Sequence, residues 1–459
     1  MQLLTLLTLP LIVRVLGPSV YGKWVYAQTM VGFFALLANP GLTVYGLRQL
    51  GAHPEEAGSV VPRVISLMVA FGTVSYLLLC AITLLTTRDQ ETAFLMMLYG
   101  VVLIGGAFFS LEWALNGLLR FDLSALFSMI SSAVYAGGVF LLLRRQDQVW
   151  VLPVVSIAGS AVGGALGWRW LRRSGVRLRP LTDVRGGASI LGISTFYFVS
   201  TLMSMLYNKA DHLMLSWVRG DDALGQYGAS YKLMGAVMGI ILSLLAVLVP
   251  YAARASSESP ERFRSLLRKG TLALAALSLP LATGGSLLAP EIAALVLGPA
   301  FKSAGEIFRL LAWNIPCGVF ASFFAGSLLY ATGHHRRYVF VTGAAAAVNI
   351  LLNLALIPIM GATGAAITTI LAQLTVVATS CYLGRQYMRN VISRSLVHPV
   401  LACAVMAGGL SLLTPLGLPV IATVAAGTGV YLTCLMALDR ADGRELLAIL
   451  ASRGAAKTA

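Results

Sequence analysis

Charged side chains are scarce in this chain of 459 residues. Asp, Glu, Lys and Arg together make up 11% of it, whereas hydrophobic residues make up 58%. Soluble domains carry about 25% charged residues, so the deficit excludes a soluble protein of about three globular domains. With a mean hydropathy of +0.82, the composition indicates a polytopic membrane protein.

Cysteine and histidine are also few, and they do not form metal-binding patterns. The five cysteines stand singly in apolar segments, and no Cys-x-x-Cys or Cys/His spacing occurs. No metal site, disulfide framework or cofactor is therefore predicted. Two of the five histidines, His334 and His335, adjoin Arg336 and Arg337, which is typical of a solvated cationic loop.

The positive charge of the chain does not follow a nucleic-acid-binding pattern. The formal net charge is +15, but the basic residues fall in short connections between apolar runs, as the positive-inside rule describes. The sequence has no basic segments interleaved with aromatic residues, which nucleic-acid-binding proteins use. No nucleic-acid partner is predicted.

Apolar runs of membrane-spanning length recur along the whole chain. A transmembrane helix needs about 20 mostly apolar residues. The predicted fold class is therefore all-α integral membrane, with about 14 transmembrane helices. The predicted spans are 1–16, 24–45, 62–86, 92–115, 123–143, 149–170, 188–217, 227–250, 270–289, 306–332, 337–357, 362–384, 396–414 and 418–438.

The first of these runs is short for a membrane crossing. As a helix, its 16 residues would extend about 24 Å, less than the hydrocarbon core of about 30 Å. The run has neither a basic n-region nor a small-residue cleavage site, so a signal peptide is not predicted. One hypothesis is that the native N-terminus lies upstream of Met1.

The distribution of basic residues predicts the orientation of the spans. With the N-terminus in the cytoplasm, the inside connections hold 23 Lys and Arg residues and the outside connections hold eight. This bias follows the positive-inside rule. Because the number of predicted spans is even, both termini are expected to be cytoplasmic.

Weak internal repetition suggests that the first twelve spans are two related bundles. Residues 17–22 (GPSVYG) recur as 223–228 (ALGQYG), and residues 116–120 (NGLLR) recur as 332–336 (TGHHR). An even number of spans separates the copies of each pair, so the copies share one orientation. Such duplicated bundles typically enclose a central cavity and alternate access to it. The predicted parts are lobes 1–180 (helices 1–6) and 186–385 (helices 7–12), two extra peripheral helices in 395–440, and a cytoplasmic tail, 441–459.

The span at 188–217 is the most informative candidate site. At helical spacing, Ser204, Tyr207 and Asp211 share one side, and Asn208 lies in a neighbouring row. Lys209 points to roughly the opposite side, so it is not assumed to pair with Asp211. Charges at membrane depth usually mark a transport path. Asp211 either couples export to proton or sodium entry or forms a structural ion pair with a nearby lysine.

Other basic residues are candidate ligands for an anionic cargo. Lys232 lies about five residues inside its span, so it either faces a cavity or extends its ammonium group to the membrane surface. The same alternatives apply to Lys209. Arg14 and Arg48 flank the first two spans, where each is either a membrane-interface anchor or a phosphate ligand.

Glu112, Asn116 and Arg120 recur every four residues near the inner end of span four. This spacing predicts an intrahelical ion-pair network at a gate. Two further segments, 39–41 (NPG) and 314–316 (NIP), interrupt spans two and ten. Each is either a packed kink or a hinge.

Three segments resemble a known family. Residues 9–22 (LPLIVRVLGPSVYG), 297–311 (LGPAFKSAGEIFRLL) and 349–366, which contain Asn349, Asn353, Gly361 and Gly364, are similar to oligosaccharide flippases of the polysaccharide transporter family (Wzx-like O-antigen flippases). The resemblance covers nearly the whole chain. It implies the fold of the multidrug/oligosaccharidyl-lipid/polysaccharide exporters.

The resemblance also implies a cargo and a location. The implied cargo is an undecaprenyl (polyprenyl)-pyrophosphate-linked oligosaccharide, flipped across the bacterial inner membrane by alternating access for surface polysaccharide biosynthesis. Such a cargo needs fixed positive charge and many hydrogen-bonding partners along its path. Membrane lipids, a coupling H⁺ or Na⁺, and polysaccharide polymerase or chain-length proteins are the further candidate partners.

Three rival functions compete with this one. A drug/cation antiporter on the same fold would favour net negative charge in its cavity, whereas the buried set here is Lys209, Lys232 and Asp211. A membrane-embedded glycosyltransferase would need a sizeable catalytic loop, and the longest outside connection is only 290–305. The chain is therefore not expected to be an enzyme. A scaffold role in a glycan-assembly complex stays an alternative.

Overall fold

The computed structural model describes residues 2–87, 89–176, 184–388, 391 and 396–441. Within these ranges every regular element is a helix. Ten of the helices are long and apolar enough to cross a membrane, or up to twelve if each of two bent pairs forms one crossing. The all-helical membrane fold is thus confirmed, while the exact number of fourteen spans and the side of the termini stay predictions.

Two compact units divide the chain, Met1–Gly225 and Gln226–Ala459. This division reflects packing rather than repetition, so the predicted lobes and extra helices stay a prediction. The predicted tail, 441–459, lies outside the described residues except for Ala441.

The helices of the first unit are α1 (Gln2–Ala38), α2 (Leu42–Ala52), α3 (Ala57–Thr86), α4 (Gln90–Gly100), α5 (Val102–Phe109), α6 (Glu112–Gly117), α7 (Phe121–Leu142), α8 (Val151–Arg173) and the first part of α9 (Val184–Glu258).

Two glycines interrupt the long helices at predicted span boundaries. Gly17 in α1 has φ 69° and ψ 171°, and Gly220 in α9 has φ 82° and ψ −179°. Only glycine adopts this backbone conformation readily. The breaks fall where the sequence predicted the connections between spans one and two and between spans seven and eight.

Two pairs of glycines relate these segments at an offset that differs from the offset of the predicted repeat. Gly17 shares its conformation with Gly220, and Gly22 shares its environment with Gly225. A Cβ on Gly22 would lie 1.8 Å from the carbonyl oxygen of Asp221, and a Cβ on Gly225 would lie 1.9 Å from that of Pro18. The two segments therefore contact each other reciprocally, backbone against backbone.

The alignment expected from the Tyr-Gly pairs misses this contact. It matches Gly22 with Gly228, whereas the backbone contact matches Gly22 with Gly225. The reason is that the contact depends on the position of a missing Cβ, which the neighbouring tyrosines do not report.

Close backbone packing also organises the rest of the first unit. Added Cβ atoms at Gly46 and Gly72 would collide with the ring of Trp113 and with the carbonyl of Leu103, at 2.3 and 2.2 Å. These glycines let α6 lie against α2 and α5 lie against α3. The buried cluster around these contacts includes Leu42, Leu50, Val61, Val64, Ile65, Ala107, Leu111, Ala114 and Leu171.

The interruption predicted at 39–41 is a sharp bend. The segments Leu7–Ala38 and Leu42–Ala52 meet at 51°, and Gly41 between them has φ 81°. The side chain of Asn39 accepts a hydrogen bond from the backbone of Thr43 at 3.2 Å, which caps the free end of α2. The second bend, 43°, joins Pro299–Leu311 to Asn314–Tyr330.

Among its described residues, the second unit contains the remainder of α9 followed by eight α-helices. These are α10 (Pro260–Leu287), α11 (Ala289–Val296), α12 (Lys302–Leu311), α13 (Asn314–Phe324), α14 (His335–Met360), α15 (Ala362–Leu383), α16 (Val397–Leu413) and α17 (Val420–Ala441), with a π-helical turn at Ala325–Tyr330. The last two helices pack on α10, where the Tyr431 hydroxyl donates to the carbonyl of Ala276 at 2.8 Å. Their predicted absence from a central cavity stays untested.

We predict that Gly22→Ala and Gly225→Ala each destabilise the protein by about 1–3 kcal/mol, the usual cost of overpacking a filled site. The new methyl group must displace a backbone carbonyl rather than a flexible side chain. Thermal unfolding of the detergent-purified variants measures the loss. Gly58→Ala and Gly137→Ala are matched controls, because an added Cβ at either position would meet no atom within 4 Å. Unfolding of the two test variants at the temperature of these controls would contradict the contact.

Candidate functional site

Three titratable side chains of α9 form a buried chain in the first unit. Asp211 is 0% exposed and His212 is 2% exposed. One ring nitrogen of His212, Nδ1, lies 2.8 Å from Oδ1 of Asp211, and the other, Nε2, lies 3.3 Å from Nζ of Lys209. The backbone N–H of His212 also donates to the same Asp211 oxygen, at 2.8 Å.

This order satisfies both charges in an apolar environment. If Lys209 donates to Nε2, the imidazole N–H at Nδ1 donates to the Asp211 carboxylate, and a neutral ring connects a cation to an anion. Pairing of this kind offsets the large cost of burying each charge alone. The arrangement can also pass a proton through the imidazole of His212. The ring changes tautomer in this step, and both Lys209 and Asp211 keep a hydrogen-bond partner.

Sequence reasoning selected Lys209 and Asp211 but missed His212. The prediction that Lys209 and Asp211 point apart is compatible with the structure, because the imidazole bridges them. The signal that could have found His212 is its spacing. Residues three apart are neighbours on a helix surface, and His212 follows Lys209 by three.

The other predicted members of this row are half-buried. The side-chain amide of Asn208 donates to the backbone carbonyl of Ser204 at 2.8 Å, so part of its hydrogen-bonding capacity serves the helix itself. Tyr207 lies between them in sequence and is also half-buried. Their exposure to a central cavity stays a prediction.

Lys232 differs from Lys209 in having no polar partner among the described residues. It is half-buried in the part of α9 that follows the Gly220 break. Among the residues that the structure describes, none accepts a hydrogen bond or forms an ion pair with its ammonium group. An added Cβ at Gly235, one turn further on, would meet no atom within 4 Å, so open space adjoins this face. Extension of Lys232 to the membrane surface stays the alternative.

The two predicted arginine ligands lie on the surface of the first unit. Arg14 in α1 and Arg48 in α2 are both exposed. Both roles considered for them, interface anchor and phosphate ligand, stay predictions.

The predicted ion-pair network of Glu112, Asn116 and Arg120 is wrong in its geometry. The helix that carries Glu112 and Asn116 ends at Gly117. Leu119 then has a positive φ of 58°, so the chain turns before it reaches Arg120. The spacing of four does not place the three side chains on one helical face.

Arg120 instead pairs across the start of the next helix. Its guanidinium donates to both carboxylate oxygens of Asp122, at 2.9 and 2.8 Å, and lies 5.2 Å from the ring centre of Trp170. Glu112 is exposed. A gating role for these residues stays a prediction, without the network that motivated it.

A second buried polar cluster lies in the second unit, at the segment that carries part of the family resemblance. Asn349, Asn353 and Thr368 are each 0% exposed. Asn353 donates to the side-chain oxygen of Asn349 at 2.8 Å and accepts from the Thr368 hydroxyl. The amide nitrogen of Asn349 has no partner within the described part of the chain. No group of three or more His, Cys, Asp or Glu residues that could hold a metal occurs there either.

Charged side chains also meet near the connection between α3 and α4. The ammonium group of Lys23 lies 3.0 Å from Asp89 and 2.7 Å from Glu91. Asp89 caps α4 by accepting from the backbone of Thr92. Burial raises the pKa of Asp89, but the hydrogen bonds from Thr92 and Lys23 outweigh it, so this pKa lies below its usual value.

Comparison with known proteins identifies solved structures that share the fold of this chain. One solved structure that matches most of the chain is the lipid II flippase MurJ in an inward closed conformation. Its TM-score is 0.78 at 14% identity, and the match covers 96% of this chain and 97% of that one. A second is a multidrug resistance MATE family transporter of the MOP superfamily in its inward-facing conformation, with a TM-score of 0.69 at 16% identity and coverage of 85% of this chain and 95% of that one. At these identities the similarity shows the fold alone.

Two proteins of similar sequence are described as transporters. A protein of Escherichia coli (strain K12) described as an O-antigen transporter is 20% identical over 80% of this chain and 89% of its own length. The succinoglycan biosynthesis transport protein ExoT of Rhizobium meliloti (strain 1021) is 25% identical over 70% and 66%. These relatives are transporters rather than catalysts, in agreement with the expectation that the chain is not an enzyme.

Two family models match the chain. The MatE model covers residues 197–355, and the model described as polysaccharide biosynthesis protein covers residues 1–256, more than half of the chain. The resemblance drawn from its Gly-Pro and asparagine segments is thereby confirmed. This multi-pass membrane protein belongs to the polysaccharide biosynthesis protein family.

Proposed function

We propose that the protein is a flippase for a polyprenyl-pyrophosphate-linked oligosaccharide in the bacterial inner membrane. The observation that carries the proposal is Lys232, a half-buried cation in a membrane helix without a polar partner among the described residues. An unpaired charge at such a site is costly. The cost is offset if an anionic cargo binds there, and a pyrophosphate group supplies that charge.

The two intramembrane lysines have different roles in this proposal. Lys209 is already engaged by His212 at 3.3 Å, whereas Lys232 is available for a phosphate oxygen. Charge-assisted hydrogen bonds to phosphate are stronger than neutral ones. Lys232 is therefore the proposed pyrophosphate ligand, and the hydroxyl and amide groups of Ser204, Tyr207 and Asn208 are proposed partners of the glycan.

The proposed mechanism is alternating access by two repeated lobes with both termini cytoplasmic. Counting each side of the Gly17 and Gly220 breaks as a separate crossing raises the twelve apolar segments to fourteen. The reciprocal contact of Gly22 and Gly225 joins equivalent positions of the repeat, in the register that Gly17 and Gly220 share. A contact between glycine backbones has no interdigitated side chains that must separate. It therefore suits a surface that closes and opens repeatedly.

The chain of Lys209, His212 and Asp211 is the proposed coupling element. A proton or sodium ion that binds Asp211 would weaken its bond to His212 and redistribute charge along the chain. The remaining positive charge of Lys232 disfavours an organic cation as cargo, so the antiporter alternative is the weaker one. Polymerase and chain-length proteins stay proposed partners.

We predict that Lys232→Ala lowers export at least about tenfold while membrane levels stay normal, because a hydrogen bond to a charged group contributes about 1.5–3 kcal/mol. Flipping of a lipid-linked oligosaccharide in proteoliposomes measures this. Lys302→Ala is the matched control, since Lys302 is exposed. Lys232→Arg should retain part of the activity. Normal flipping by Lys232→Ala would show that this lysine extends to the membrane surface instead.

We predict that Asp211→Asn abolishes gradient-driven accumulation but permits downhill exchange, because the amide keeps the shape of the carboxylate and cannot titrate. Transport is compared with and without an imposed proton or sodium gradient. Asp222→Asn is the control, since Asp222 is exposed.

Folded yield separates this coupling role from a structural one. If Asp211 only neutralises Lys209 through His212, the variant leaves a buried charge without its counterion and mainly loses folded protein. Full gradient-driven transport by Asp211→Asn would eliminate the coupling role.

A further inference from the structure

The first unit contains a cavity of about 420 Å³ that the proposed mechanism does not use. It lies where α1, the end of α3, the start of α4 and the first part of α9 meet. Its volume falls within the range of ligand-binding pockets, about 300–1,000 Å³. Its lining includes Tyr26, Thr86, Thr87, Asp89, Trp217 and Asp221.

Two aromatic rings on opposite helices are fixed in this lining. The indole N–H of Trp217 donates to the hydroxyl of Tyr26 at 3.2 Å. Although this bond holds the ring in place, Trp217 remains 67% exposed. A fixed, exposed aromatic face is electron-rich and attracts weakly positive C–H groups. The C–H face of a sugar ring has this character.

Hydrogen-bonding groups surround the aromatic face. The Asp221 carboxylate accepts one hydrogen bond from the Ser216 hydroxyl, at 3.1 Å, and a carboxylate has about four acceptor positions. Thr87 adds a hydroxyl group that both donates and accepts, and the hydroxyl of Thr86, which already donates to the carbonyl of Ile82 at 2.8 Å, adds an acceptor. A sugar, whose hydroxyls also donate and accept, uses both capacities of this lining, whereas an ammonium ion only donates.

Charge decides which part of a glycolipid fits the cavity. Lys23 pairs with Asp89 and Glu91, and Asp221 adds a third carboxylate to the same region. Among the described residues, the lining itself holds two carboxylates, Asp89 and Asp221, and no cationic side chain, so it repels phosphate groups. A pyrophosphate or a phospholipid phosphate is excluded, and an uncharged polar ring is accepted.

We propose that this cavity binds a neutral sugar ring, which stacks on Trp217 and donates hydroxyl hydrogen bonds to Asp221. The proposal rests on the proposed function, because it assigns the cavity to the glycan end of the same cargo. With the predicted topology, the cavity lies at the outer side of the membrane. It would therefore hold the sugar that emerges first.

The test uses the full-length protein in lipid nanodiscs. The probes are methyl glycosides of glucose, galactose and N-acetylglucosamine and their disaccharides, and saturation-transfer NMR and calorimetry measure binding. At least one probe is expected to bind the wild type. Asp221→Asn keeps the side-chain shape and should weaken binding about tenfold, because a hydrogen bond to a charged acceptor is lost.

Aromatic variants separate stacking from membrane anchoring. Trp217→Ala should abolish sugar binding, and Trp217→Phe should retain most of it. Trp150→Ala is the matched control, because Trp150 is also an exposed tryptophan of the first unit, at 45%. If Trp217 is only an interface anchor, Trp217→Ala lowers membrane yield and leaves the affinity for sugar unchanged, which overturns the proposal.

Two further arms distinguish the remaining outcomes. Ethanolamine and choline are titrated as ammonium probes, and their binding without any sugar binding would show that the cavity takes a cation. Flipping of a lipid-linked oligosaccharide is measured in parallel. If the wild type flips the glycolipid but Asp221→Asn leaves the affinity for sugar unchanged, the cavity assignment alone is overturned. If Asp221→Asn weakens sugar binding but the wild type does not flip the glycolipid, the proposed function alone is overturned.

Discussion

A polar group placed inside a membrane must find its partner within the protein, because the hydrocarbon offers none. Two clusters in the described structure follow this constraint. The regular elements are all helical, Lys209, His212 and Asp211 contact one another, and Asn349, Asn353 and Thr368 form a hydrogen-bonded set in which one amide nitrogen has no described partner. Lys232 departs from this constraint with a full charge, because it is half-buried and has no polar partner among the described residues.

Glycine gives this fold its second constraint. Helices approach closely where one of them lacks a Cβ, and the contact between Gly22 and Gly225 is so close that two backbones touch. Asp221 belongs to this contact through its carbonyl oxygen and to the adjacent cavity through its side chain. Any movement that separates the two backbones therefore also alters the cavity. Asp221 therefore couples the proposed sugar site to the contact between Gly22 and Gly225.

Sequence reasoning located the membrane helices well, because apolar run length depends on local composition alone. It also placed the breaks at Gly17, Gly220 and 39–41, where Gly and Pro leave few backbone choices. It failed where the outcome depends on a single turn or a side-chain partner. The turn at Leu119 removed Arg120 from its expected face, and His212 was passed over because one histidine carries no composition signal. The Tyr-Gly pairs did not indicate the contact between Gly22 and Gly225, because that contact depends on missing Cβ atoms and not on the neighbouring tyrosines.

The proposed sites divide the cargo by charge. A lipid-linked oligosaccharide carries its negative charge at the pyrophosphate and ends in a neutral glycan, so its two ends favour different surroundings. Lys232, which has no polar partner among the described residues, attracts the pyrophosphate, and the cavity that Asp89 and Asp221 line repels it. The carboxylates of Asp89 and Asp221 do not therefore contradict a phosphate-binding lysine elsewhere in the chain. In this proposal charge alone distinguishes the two ends of the cargo, so a flippase built this way does not need to recognise every sugar.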